Sequence, residues 1–176
     1  MLKENIQDTK AIAKNLDFDI ILSGGSLLGA YREGGKPIKG DEDDVDFAVS
    51  HKVSQMKYKE VLESFLNKGF TLKRLRDTVV SFERNGSHVD FLFYRKWNNN
   101  FYYESLYYQK RPFALFIPSE YLDNLSTIEF CGVELKCPED IEGFLAYRYG
   151  DWKTPVARPE FNFQFFINKG ITKWLE

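Results

Sequence analysis

The sequence predicts an α+β fold: a mixed central sheet flanked by helices, with a small C-terminal hairpin-plus-helix extension. Three observations predict it. A short apolar strand, a Gly-Gly-Ser elbow and a helical stretch lead into a second strand whose approach, Asp41 to Asp46, is acidic at every position but Val45. Asn85-Gly86 joins two strand-like runs, the strongest short hairpin signal. Helical and strand patterns then continue to the C-terminus. The 176 residues suit a single domain, with a core of about residues 1–96 and an extension of about 97–176. A hydrophobic content of 43% excludes a disordered chain and supplies a real core.

Residues 3–16 read as a helix, with Ile6, Ile12, Ala13 and Leu16 at helical spacing. Phe18 to Leu22 is a short apolar strand ending at Ser23-Gly24-Gly25-Ser26. Paired glycines let the backbone turn sharply and come close to a ligand. Ser26 then opens a helix, LLGAYRE, which stops at Gly34-Gly35. Free N–H groups at a helix start behind such a turn suit a phosphate. Gly24, Gly25 and Ser26 are therefore candidate substrate-binding residues. By itself the elbow reads as a plain turn; ahead of an Asp-x-Asp strand it gains meaning. Arg32 offers bidentate phosphate chemistry or a surface helix position. Lys36 and Lys39 in the following loop either neutralise phosphate or are solvated.

Val45, Phe47 and Val49 alternate with Asp44, Asp46 and Ala48, a period-2 strand pattern. Residues two apart on a strand project from one face, so Asp44 and Asp46 are close. Like charges at that separation repel, and one is protonated unless a cation neutralises both. Mg2+ or Mn2+ is the expected cofactor, since hard dications take oxygen ligands and leave positions for substrate phosphates. Two other motif readings fail. An EF-hand loop from Asp41 needs Gly sixth and Glu twelfth, where the chain has Asp46 and Lys52. A Walker A loop fails because Ala30 stands at its first Gly and Pro37 follows Gly35-Lys36.

The next helix spans Ser54 to Asn67, with Ser54 suited to the N-cap and Gly69 to the stop. Phe70–Leu75, Val79–Arg84 and Ser87–Tyr94 read as strands. In the last, Val89, Phe91 and Phe93 share a face and Asp90 lies on the other. A lone Asp among apolar neighbours needs compensating charge or metal, which makes Asp90 the candidate third carboxylate. Residues 97–116 are aromatic and asparagine-rich, an irregular flap or further strands. Their Tyr102, Tyr103, Tyr107 and Tyr108 line a pocket or pack in the core. A helical turn near Pro118–Leu122 and a hairpin over 127–137 follow. Pro138 at a first helical position starts a helix that Gly150 ends. The aromatic tail (Phe161, Phe163, Phe165, Phe166, Trp174) is expected to pack back on the body.

A net charge of −2 gives no general attraction to nucleic acid, although Lys73, Arg74 and Arg76, and later Lys110 and Arg111, cluster locally. No apolar run approaches the ~20 residues a membrane span requires, and the N-terminus has no signal-peptide core. A cytoplasmic location is expected, with peripheral membrane association only through a partner. Cys131 at a hairpin turn and Cys137 at an arm's end do not face each other, so neither a disulfide nor a zinc site is expected.

Three blocks carry a family resemblance: Gly25-Ser26-Leu27-Leu28-Gly29-Ala30-Tyr31-Arg32 with Pro37; Glu42-Asp43-Asp44-Val45-Asp46; and Tyr149-Gly150-Asp151-Trp152 with Thr154-Pro155. The chain resembles the LicD/fukutin family of the nucleotidyltransferase (polymerase-beta-like) fold. Glu42 stands where that family's acidic signature begins with Asp, and the loop from Pro37 is slightly longer. The resemblance implies a metal-dependent transferase. It would move a phospho-alcohol unit, phosphocholine or ribitol phosphate, from a CDP-linked donor to a sugar hydroxyl of a glycan. For such a reaction the residues themselves suggest Asp44 and Asp46 as catalytic holders of one or two divalent ions, Asp90 as a third metal ligand or the general base on the acceptor hydroxyl, and Gly24, Gly25, Ser26, Arg32 and Lys36 toward the nucleotide-linked donor. The alternative on the same fold is transfer of NMP from NTP to a small molecule, protein or RNA.

Overall fold

Leu2, Ile6, Thr9, Ile12 and Ala13 fall on one side of α1 (Leu2–Asn15), which buries that side. The computed structural model describes residues 1–108, 111–155, 166–167 and 169–174. Behind α1 come β1 (Ile21–Leu22), α2 (Gly24–Arg32), β2 (Asp44–Ser50), α3 (His51–Met56) and α4 (Tyr58–Asn67). Then follow β3 (Thr71–Leu75), β4 (Val79–Arg84), β5 (Ser87–Lys96), β6 (Phe101–Tyr108) and β7 (Arg111–Pro118). The chain closes with α5 (Glu120–Asp123), β8 (Leu125–Phe130), β9 (Val133–Pro138), α6 (Ile141–Tyr149) and β10 (Thr172–Trp174).

These strands form one mixed sheet in the order β10-β7-β6-β5-β2-β1-β9-β8, with β3 and β4 branching from β5. β5 is long enough to pair with β2 along one edge and with both β4 and β6 along the other. Its pairing with β2 is parallel, as is β1 with β9; the other ladders are antiparallel. One face of the central strands is apolar. Val45, Phe47, Phe82, Val89 and Phe91 are buried in the same cluster as Ile6 of α1 and Phe65 of α4. Phe65 stacks on Phe82 at 4.0 Å. Asn5 pins α1 to the β4–β5 turn, donating to the Arg84 carbonyl (3.0 Å) while accepting from Arg84 Nε (2.9 Å). The opposite face of β2 and β5 carries the acids.

Several expectations need correction. The first strand is only Ile21–Leu22, and α2 begins at Gly24, so the glycines form the helix's first turn with Ser23 as N-cap. The helix expected over 54–67 is two helices, and Ser54 lies inside the first instead of capping one. Lys57 stands at the break, between the two helices. Its Nζ is drawn to the Leu16 and Asp17 carbonyls at the end of α1, and its backbone leaves the helical region (φ −129°, ψ 13°). Pro138 closes β9 opposite Leu125 and starts no helix. Asp140 caps α6 instead, accepting the Gly143 N–H at 2.9 Å. Of the segment 97–116, Phe101–Tyr108 and the residues from Arg111 onward are strands: β6 and β7 pair antiparallel, and β10 adds beside β7. The Asn85-Gly86 turn is as expected, with φ of 54° and 77°. Gly150 ends α6, and both cysteines are free. Phe166 packs on Phe113 and Leu115. Phe161, Phe163, Phe165 and Lys110, and the side chains of Tyr107 and Tyr108, lie outside the described residues. No described helix is long and apolar enough to cross a membrane.

Candidate active site

The parallel register of β2 on β5 sets Asp44 opposite His88 and Asp46 opposite Asp90. Partners in register point to the same side of a sheet, so the three aspartates share the face away from α1 and α4. The row continues both ways. Ser23 at the end of β1 donates its N–H to the Asp46 carbonyl (3.0 Å). Across β5, Ser81 of β4 faces Asp90, and Arg74 of β3 faces Ser81. Asp90 Oδ2 lies 3.6 Å from Arg74 Nη1.

The carboxylates are crowded and poorly solvated. Burial pushes Asp44 up to about 6, with the charges of Asp90 and Asp41 adding to the rise. Burial also lifts Asp46 well above the usual carboxylate range, reinforced by Asp44 and Asp90 and opposed by Arg148. Asp44 Oδ1 is buried without a hydrogen-bond partner, as are the hydroxyls of Ser23 and Ser81. Buried polar atoms are normally satisfied, so orphans gathered at one place call for an absent partner.

The start of α2 closes over these acids. Gly24 has φ +57°, and a Cβ there would stand 2.2 Å from Asp46 Oδ2. A Cβ on Gly25 would stand 2.9 Å from Asp41 Oδ2. The glycines thus let two carboxylates approach the helix's positive end, where anions are favoured. Ser26 Oγ accepts the Asp46 N–H (2.9 Å), which locks the elbow to the acidic strand. Gly29 makes room for the returning loop: its Cβ would meet the Lys36 carbonyl at 2.6 Å.

The remaining candidates stand apart from the acids. Arg32 is eight residues along α2 from Gly24, about 12 Å at helical rise. There it pairs with Glu33 (2.7 Å) and donates to the Trp152 carbonyl (3.1 Å). Lys36 is exposed. Trp152 is buried edge-on to Tyr31 (5.5 Å), and Thr154 donates to Asp151 (2.8 Å), so this motif ties the segment after α6 to α2.

Two functional neighbours escaped the sequence reading. Arg148 of α6 and Glu104 of β6 form an ion pair at 2.9 Å with side chains 11% and 3% exposed. The charge of Arg148 also acts on Asp46 and holds down the rise of the Tyr149 phenol. The only sequence signal was the adjacency of Arg148 to the Tyr149-Gly150-Asp151-Trp152 block.

Among the described residues no three His, Cys, Asp or Glu side chains already form a metal cage. The donor chemistry nevertheless fits a hard dication. The site offers several carboxylate oxygens whose charges are mutually opposed, and one of these oxygens is buried without a partner. Asp44 and Asp46 would hold the ion, with Asp90 joining once it turns from Arg74.

The family model described as "LicD/FKTN/FKRP, nucleotidyltransferase domain" matches residues 17–140. Among curated protein sequences no match was found. Solved structures share the fold. The crystal structure of ANT(2″)-Ia in complex with adenylyl-2″-tobramycin aligns with a TM-score of 0.51 at 14% identity, covering 77% of this chain and 68% of that one. The lincomycin-bound lincosamide antibiotic adenylyltransferase LnuA aligns with a TM-score of 0.54 at 11% identity, covering 96% and 94%.

Proposed function

Because this chain belongs to the LicD/FKTN/FKRP nucleotidyltransferase-domain family, we propose that it is a metal-dependent transferase moving a phospho-alcohol unit from a CDP-linked donor to a sugar hydroxyl of a glycan. Phosphocholine and ribitol phosphate are the kinds of unit meant. The observation that carries this reading is the register of β2 on β5, which gathers Asp44, Asp46 and Asp90 on one poorly solvated face.

Phosphoryl-type transfer asks little covalent chemistry of a protein; positioning and charge stabilisation dominate. Mg2+ or Mn2+ held by Asp44, Asp46 and Asp90 would supply neutralisation of the donor diphosphate. The residues do the rest. The α2 amino end, opened by Gly24 and Gly25, meets a phosphate oxygen. Where it does not complete the metal site, Asp90 accepts the proton of the acceptor hydroxyl as its oxygen bonds to phosphorus, and the bond from that phosphorus to the CMP oxygen breaks. Arg148, held by Glu104, limits the negative charge that Asp46 feels. We assign this activity to the cytosol, with any membrane association made through a partner.

The test is product analysis. The protein is incubated with Mg2+ or Mn2+ and either CDP-choline or nucleoside triphosphates, with candidate glycan acceptors. CMP release that Asp46→Asn abolishes is the expected result. Pyrophosphate release from triphosphates would instead establish transfer of NMP, the alternative chemistry on this fold.

A further inference from the structure

The ladder between β3 and β4 is broken once. Leu72 faces Phe82, yet Arg74, two residues on, faces Ser81, one residue on. This is a β-bulge, the kind of irregularity that re-aims a side chain. Its consequence follows from the period-2 rule. In an unbroken ladder Lys73 would face Ser81, and Arg74 would turn to the face that holds Phe82 and the helices. The bulge instead places Arg74 on the carboxylate face, in line with Ser81, Asp90 and Asp46. The displaced Lys73 is taken up by Glu83 at 2.6 Å.

Two facts distinguish this from a decorative surface ion pair. The Arg74–Asp90 separation is 3.6 Å with Arg74 half exposed, a loose contact that leaves much of its donor fork unused. Between them Ser81 is 3% exposed and its hydroxyl has no partner. A guanidinium with spare donors beside an unsatisfied buried hydroxyl is a place for an oxyanion. Planar bidentate recognition of phosphate is what Arg does better than Lys.

We propose that Arg74 is a substrate-binding residue, carried to the site by the β3 bulge, which with the Ser81 hydroxyl holds an oxygen of the phosphoryl group being transferred. In the free protein Arg74 instead restrains Asp90. Substrate phosphate would draw the guanidinium away and free the Asp90 carboxylate for its own work. This rests on the transferase reading above.

Binding of CDP and of inorganic pyrophosphate in the presence of Mn2+, followed by calorimetry, tests it without turnover. Arg74→Ala should weaken both ligands about tenfold or more, as expected for losing a charge-assisted pair. Arg74→Lys should recover part of that, and Lys59→Ala on exposed α4 should change nothing. Ser81→Ala should weaken both several-fold without lowering the unliganded melting point, because its hydroxyl has no bond to lose. It thus remains informative should Arg74→Ala fold poorly. If wild type binds and both Arg74→Ala and Ser81→Ala bind equally well, the contact is an ordinary surface ion pair and this inference falls alone. If wild type binds neither ligand, the inference falls together with the transferase reading.

Discussion

At Gly24 and Gly29 single methyl groups would meet different obstacles, and the difference separates chemistry from scaffold. A Cβ on Gly24 meets the Asp46 carboxylate at 2.2 Å, on a backbone with φ +57° that disfavours side chains. The obstacle is a side chain whose carboxylate can turn and whose Cβ, at 3.0 Å, need give only slightly, so Gly24→Ala should fold with about 1–2 kcal/mol of backbone cost while displacing the central acid. Activity should fall by more than tenfold, with a melting point lowered only a few degrees. A Cβ on Gly29 meets instead the Lys36 carbonyl (2.6 Å) and Ile38 nitrogen (2.9 Å), backbone atoms that cannot rotate away. Gly29→Ala should therefore act on stability, by about 1–3 kcal/mol as overpacking does, and leave Mn2+ affinity near wild type. Denaturant titration beside Mn2+ binding on the two variants checks both. Equal losses of metal affinity would show that the loop from Lys36 shapes the acids too.

Between elements, the tie that matters most at the site is Arg148 of α6 to Glu104 of β6. Removing one member of a buried pair leaves an uncompensated charge and typically costs 3–5 kcal/mol. The two removals should differ here. Glu104→Gln leaves Arg148 with Asp46 as a second anionic neighbour, whereas Arg148→Met strands both Glu104 and Asp46. Arg148→Met should thus lower the melting point by about 10 °C and Glu104→Gln by clearly less; the opposite order would show that Asp46 draws nothing from Arg148. This pair spans 44 residues of sequence, which is why it was invisible there. What was legible has a local cause. In β2 and β5 one face is apolar and the other polar, so alternation marks the strands and points Asp44, Asp46 and Asp90 the same way. The Asn85-Gly86 turn reads directly because it needs positive φ. The hairpin of β6 and β7 did not read. Phe113, Ala114 and Leu115 are consecutive and all buried, and β7 is covered on both sides, which erases alternation. The division of α3 from α4 did not read either, since Lys57 is held by carbonyls about 40 residues earlier. Arg74 was legible as a charge but not as a site residue, because a bulge reverses the face that counting assigns it.

For the molecule as a whole, the site works against the fold that holds it. Asp44 and Asp46 have folded-state pKa values above the ordinary carboxylate value of 3.8, with Asp44 at about 6. A carboxyl that holds its proton more tightly when folded favours the folded state at low pH, and that contribution is lost as pH rises through the folded pKa. The sign is the reverse of the usual salt-bridged aspartate. Metal-free protein should therefore lose stability from about pH 4 through pH 6, and further as Asp46 ionises. Its melting point at pH 7.5 should lie several degrees below that at pH 5.5, on a scale of about 2–4 °C per kcal/mol for a chain of this size. Two manipulations should reduce the slope. Mn2+ or Mg2+ at pH 7.5 should restore the lost stability, since an ion that binds only the folded state stabilises it by mass action and lets both carboxylates ionise. Asp46→Asn should raise the metal-free melting point at pH 7.5, remove the part of the pH dependence that Asp46 contributes while leaving that of Asp44, and abolish the response to metal, because the amide fills the same space without charge. Thermal melts of the wild type and Asp46→Asn across pH 4.5–8, with and without dication, would decide it. A wild-type melting point that rises from pH 5.5 to 7.5 without metal, or is indifferent to dication at pH 7.5, would mean that the carboxylates are compensated from within the protein, and the proposed metal would lose its physical reason.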